Sequence, residues 1–192
     1  VNPFGTGWNA LTGVGGGLFA APESRMDNMI TYMSPTFAGT TVYAQYSMGQ
    51  NGQDENKNTA DRYAALGVNY ANGNLNLAAV VDWVDEAEVP GHTTSQEDMY
   101  TINIGGSYNF GVVKPYLALQ YFKNADDVGG LSDMADAVKA DTFKGWGLDE
   151  LKGYGVALGA DVPAFGGDFL VSLGYVDAES EDQKYDGADY TV

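Results

Sequence analysis

The chain has 192 residues, a formal net charge of -17 from 26 acidic against nine basic side chains, one histidine and no cysteine. Such acidity excludes nucleic acid as a partner, because neutralising phosphates needs clustered bases and the only arginines are Arg25 and Arg62. Without cysteine there is no disulfide framework or thiolate metal site, and no run approaches the roughly 18 apolar residues of a spanning helix, so the chain is either soluble or crosses a membrane as strands.

Apolar and polar residues alternate with a period of two in eight stretches: about 25–33, 41–48, 62–71, 74–83, 99–109, 112–122, 151–162 and 168–178. The fold class is therefore all-β. Short connections, SPTFAG at 34–39, NG at 72–73, FG at 110–111 and PAFGG at 163–167, carry the Gly, Pro and Asn that tight turns need. They alternate with long acidic segments at 49–61, 84–98, 123–150 and 179 onward. Within the third of these, LSDMADAVKADTF at 131–143 fits a turn or two of helix. Short turns at one end and long loops at the other predict an antiparallel transmembrane β-barrel.

Successive side chains of a strand point to opposite faces, so parity separates two surfaces. One carries Ile30, Val42, Leu66, Val81, Ile104, Leu119, Val156 and Leu173 at mid-strand, with aromatic residues toward the ends. Tyr32, Tyr46, Tyr70, Trp83, Tyr100, Tyr108, Tyr121, Tyr154, Phe169 and Tyr175 form the two girdles expected where an apolar band meets headgroups. The opposite face is small and mildly polar, including Thr31, Ala65, Gly67, Asn69, Thr101, Asn103, Gly105, Ala118, Gly155, Ala157 and Ser172. A closed eight-stranded barrel would fill its interior with larger groups. Small ones suit a wider lumen, filled by water or by a loop, so the eight strands are expected to be an internal segment of a longer barrel.

At Arg25 to Gly39 the pattern R-x-x-N-x-I-x-Y-x-S-P-x-F-A-G strongly resembles the general porins of Gram-negative bacteria, especially the neisserial and β-proteobacterial type. The hairpins YAALGVNYANGNLNLAAVVDW, INIGGSYNFGVVKPYLALQYF and YGVALGADVPAFGGDFLVSLGY look like the same family. The resemblance implies a homotrimer of 16-stranded barrels in the bacterial outer membrane, in contact with lipid and lipopolysaccharide. Each barrel would pass small hydrophilic solutes and ions and be narrowed by a loop folded into the lumen. Residues 1–24, with six glycines, look like the remainder of that loop, anchored by Phe4, Trp8, Leu18 and Phe19. Residues 25–178 would be the eight strands, and 179–192 the start of another extracellular loop or strand.

Passive diffusion needs no nucleophile, cofactor or metal; selectivity follows from pore width and lumen charges. Parity turns Arg25, Asp27, Asp82, Lys114, Asp161 and Asp168 inward, with Tyr43, Gln45, Tyr116 and Gln120 as larger polar neighbours. Arg25 and Asp27 are the first candidates for the constriction. The excess of inward acids tilts selectivity toward cations. The loop acids form a solvated face or bind divalent cations shared with lipopolysaccharide. No enzyme is indicated: His92 lies in a Pro-Gly loop, and GVGGG lacks the Lys and Ser or Thr of a phosphate loop. The alternatives are a structural or adhesive barrel with acidic surface loops, and a soluble all-β binding protein.

Overall fold

The computed structural model describes residues 19–20, 28–48, 62–85, 97–125, 128, 151–179 and the strand at 184–191. Arg25, Asp27, most of the long loops and the helical turn expected at 131–143 lie outside the described residues. The described residues form one antiparallel sheet whose strands lie side by side in chain order. The strands are β1 (Met29–Met33), β2 (Thr40–Ser47), β3 (Arg62–Asn72), β4 (Leu75–Asp85), β5 (Met99–Tyr108), β6 (Lys114–Ala125), β7 (Leu151–Ala164), β8 (Gly167–Glu179) and β9 (Lys184–Thr191). Eight agree with the alternating stretches to within a few residues. The ninth falls in the 179–192 segment, where Asp186, Gly187 and Asp189 are poor strand formers. Backbone pairing along β8, from Ser172 opposite Thr191 to Glu179 opposite Lys184, holds it in the sheet. Within the described residues the sheet is open, with β1 and β9 at its edges.

The short turns set the registers. Ala38 and Gly39 both have positive φ, as do Phe165 and Gly166, the backbone of a type I′ hairpin that matches strand twist. Gly39 is required twice over: its φ is +80°, and a Cβ there would collide with the carbonyl oxygen of Ala71, whose amide donates to the Gly39 carbonyl at 2.8 Å. Gly73, with φ +56°, takes the first central position of the β3–β4 turn, and the Asn109 side chain accepts from the Gly111 amide at 2.8 Å.

From β2 to β8 the parity rule holds, and it reverses the burial of a soluble protein. Leu66 is 60% exposed and Ile104 54%, as bare as the girdle residues Tyr32 and Phe169. Phe122, Val176 and Ala178, on the other face, are fully covered. The aromatic ends show how the sheet lies. One outward row of paired residues runs Tyr32–Ala44–Leu66–Val81–Ile102–Tyr121, starting beside a short turn and finishing near a long loop. Five inter-strand steps of about 4.8 Å, inclined by about 45°, climb roughly 17 Å. Such a row crosses much of the roughly 25 Å apolar band of an outer-membrane barrel, as tilted strands require.

At the long-loop end the outward face turns polar. The Trp83 indole donates to Asp98 at 3.1 Å and the Tyr154 hydroxyl to Asp177 at 3.4 Å. Arg62 pairs with Asp85, Lys152 with Glu179 at 3.3 Å, and Lys123 lies 3.9 Å from Glu97 and 5.9 Å above the Tyr100 ring. The polar atoms of Trp83 and Tyr154 thus meet their partners where the band ends, as amphipathic rings at a boundary should.

Ile104→Lys, at the middle of the outward band, is expected to destabilise the full-length protein by about 2–4 kcal/mol in vesicles. Ala78→Lys on the inward face should cost much less. Urea titrations of bilayer-inserted protein measure both, and equal costs would overturn the assignment of faces.

Candidate functional site

The inward face is ordered by the same registers. One row reads Thr31–Gln45–Ala65–Asp82–Thr101–Phe122–Gly153–Ala178, and the next Met33–Tyr43–Gly67–Val80–Asn103–Gln120–Gly155–Val176. Gln45 and Asp82 thus share a row, as do Tyr43 and Gln120. Nearer the short turns Tyr116 stands between Ser107 and Gly159, and Lys114 is directly opposite Asp161.

Across β4, β5 and β6 these side chains form a directed hydrogen-bond chain. Gln120 Nε2 donates to Asn103 Oδ1 at 2.8 Å, Asn103 Nδ2 to Thr101 Oγ1 at 2.6 Å, and Thr101 Oγ1 to Asp82 Oδ2 at 2.9 Å. Gln120 Nε2 also donates to the carbonyl of Ala20 at 2.6 Å, a contact 100 residues away in sequence. Gln120 is only 4% exposed and Asp82 5%. The chain therefore ties the wall to a segment lying over it.

Phe19 fixes the same segment. A Cβ built on Gly155 would sit 2.6 Å from Cδ1 and Cε1 of the Phe19 ring, so the ring occupies space that exists only because residue 155 has no side chain. Ala20 packs into a cluster with Tyr63, Val84, Met99, Phe122, Leu151, Val176 and Ala178, joined by Ala125 and Val128. These larger groups line the inward face toward the long loops. The small, mildly polar character expected of the inward face thus holds at mid-strand positions, while toward the long loops that face is an apolar shelf. Parity extended to the strand ends identifies its members, since Tyr63, Val84, Met99, Phe122 and Val176 all fall on inward positions.

Of the remaining candidates Tyr116 is buried, and the others are more open. Tyr43 is exposed and lies beside Gly67. Gln45 Nε2 donates to Thr31 Oγ1 at 3.3 Å. The Lys114 ammonium lies 5.1 Å over the Tyr116 ring, and Asp161 is the residue paired with Lys114 on β7. Among the described residues no cluster of His, Cys, Asp and Glu has the makings of a metal site.

The contact between Phe19 and Gly155 predicts coupling. Gly155→Val should expel the ring, and combining it with Phe19→Ala should recover about 1–3 kcal/mol of the loss. A double-mutant cycle on unfolding of the full-length protein measures this; additive effects would show that Phe19 does not rest on β7.

Comparisons with known proteins bear on what a two-faced sheet of this kind belongs to. The Gram-negative porin family matches residues 1–192. An outer membrane porin protein of Bordetella pertussis is 31% identical over 160 residues, covering 78% of this chain and 41% of that protein. Outer membrane porin protein 32 of Delftia acidovorans is 32% identical over 106 residues, covering 55% of this chain and 29% of the relative. Among solved structures, an anion-selective porin from Comamonas acidovorans superposes with a TM-score of 0.58 at 25% identity, covering 83% of this chain and 41% of that one. The chain spans less than half the length of these relatives. By sequence, by strand order and by the exposure of its two faces, the chain belongs to the Gram-negative porin family, and its place is the bacterial outer membrane.

Proposed function

We propose that the full-length protein is a passive diffusion channel for small hydrophilic solutes and ions, and that the described sheet is about half of its wall. The observation that carries this reading is the division of β2 to β8 between a bare apolar outward face and a more covered inward one, which on β4 to β6 carries a polar hydrogen-bond chain. A wall of this kind separates hydrocarbon from an aqueous lumen without leaving backbone groups unpaired. The family supports the reading, being one of channels rather than enzymes. A homotrimer of 16-stranded barrels is part of the same proposal, as is lipopolysaccharide against the outward ion pairs at the long-loop end.

Residues 1–24 are proposed as the end of an inward constriction loop, supported by the seating of Phe19 and Ala20 on β6 and β7. Gln120 and Gly155 then act as its wall anchors, while Tyr43, Gln45 and Lys114 face the path of solutes and Tyr116, itself buried, lies under the Lys114 ammonium. Arg25 and Asp27 remain the proposed charges of the narrow point. Asp82 takes a different part: bonded to Thr101 and covered, it terminates the polar chain instead of standing as an open charge.

The apolar shelf favours a second reading, a structural or adhesive barrel whose lumen is filled at the long-loop end. Planar-bilayer recordings separate the two. A channel gives stepwise conductance from the folded full-length protein, and a plugged barrel gives none. Ion preference is a separate measurement. One structural neighbour is an anion-selective porin, whereas the inward charges among the described residues of this chain are Asp82, Asp161 and Asp168 against Lys114. Lys114→Glu should shift the reversal potential in a salt gradient toward cations while leaving conductance within about a factor of two. An unchanged reversal potential would remove Lys114 from the ion path.

A further inference from the structure

Three of the four short turns carry a phenylalanine exposed beyond the aromatic girdle. Phe37 is 82% exposed, Phe110 61%, and Phe165 stands fully exposed at the tip of the β7–β8 turn. None of them serves the core or the lumen. Phe165 also has φ +52°, at a turn position where Asn or Gly is the usual residue and a bulky aromatic is an outlier.

We propose that these phenylalanines seat the short-turn end of the barrel in the headgroup layer of the inner, periplasm-facing leaflet, so that these turns lie in the lipid interface instead of standing in water. The first support is continuity with the lipid-facing surface. The Phe110 ring centroid is 4.6 Å from that of the girdle residue Tyr108, and Phe37 bridges to Thr40, which pairs with the girdle residue Tyr70. Depth is the second. A headgroup layer adds about 5–7 Å on each side of the hydrocarbon, and two residues beyond Tyr108 on a strand tilted by about 45° advance roughly 5 Å. Charge is the third: across 34–39, 72–74, 109–113 and 163–168 the only ionisable side chain is Asp168, while the long loops are crowded with acids. Turns standing in water have no such reason to exclude charge and display phenylalanine, since exposed apolar groups gain free energy only when removed from it.

The test uses the full-length protein in phospholipid vesicles with nitroxide labels at Phe37→Cys, Phe110→Cys and Phe165→Cys, and at Asn74→Cys on the turn that lacks an aromatic. Power-saturation measurements compare collisions with oxygen, which concentrates in lipid, and with a water-soluble nickel chelate. The expected result is a severalfold higher oxygen-to-nickel ratio at the three phenylalanine positions than at Asn74. Equal, nickel-dominated ratios would place the turns in the periplasm and overturn the proposal, as would spin-spin coupling between subunits, which would make them subunit contacts. A second measurement keeps native side chains at the other sites: Phe37→Ser/Phe110→Ser should lower the folding equilibrium constant in vesicles by about tenfold or more. An unchanged or increased constant would overturn the proposal. Single-channel conductance of the same variant should match the wild type, so failure here is separable from failure of the channel reading.

Discussion

The constraint on which this structure depends is that a backbone crossing hydrocarbon must satisfy every amide and carbonyl within the protein. Antiparallel pairing with the next strand in the chain does this across the sheet, from Met29 opposite Ser47 to Lys184 opposite Glu179. With the hydrogen bonds committed to the ladder, the side chains are left to sort between two solvents, and a period of two is the only pattern that sorts them consistently. A one-residue slip in any hairpin would turn Leu66 or Ile104 into the lumen and Asn69 or Asn103 into lipid. Gly39 and the positive-φ turns therefore carry information beyond their own conformations.

The burial pattern follows from that sorting. Outward Ile, Leu and Val are bare because lipid is their intended surroundings, so an exposure that would signal aggregation in a soluble domain is here the surface of contact. The inward face is divided by height. At mid-strand small residues leave room, and toward the long loops Tyr63, Met99, Phe122 and Leu151 close over Ala20. Between them the chain from Gln120 through Asn103 and Thr101 to Asp82 links covered polar groups of three strands. The Gln120 amide uses one hydrogen within the wall and the other on the seated segment. A single side chain thus joins wall architecture to lumen shape.

Alternation, turn chemistry and the contrast between short uncharged and long acidic connections make most of the fold legible in the sequence. Eight strands could be read because Ile30, Tyr32, Val42, Ala44 and Tyr46, and their equivalents, repeat at every second position. The ninth strand is not legible in this way, since its residues disfavour a strand and only pairing with β8 holds them there. The candidate site was less visible. Parity divides the groups between two faces but assigns no partners, and nothing in the local pattern around Gln120 or Asp82 shows that they belong to one hydrogen-bond chain.

By itself the sequence determined the alternation that divides the strands into two faces and which connections are tight turns, because these depend on a period of two and on local turn chemistry. Only the tertiary structure decided which inward groups are open and which are covered. That outcome turns on a segment 100 residues away in sequence from Gln120 finding the missing side chain at Gly155, and long-range packing of this kind leaves no periodic trace in the chain.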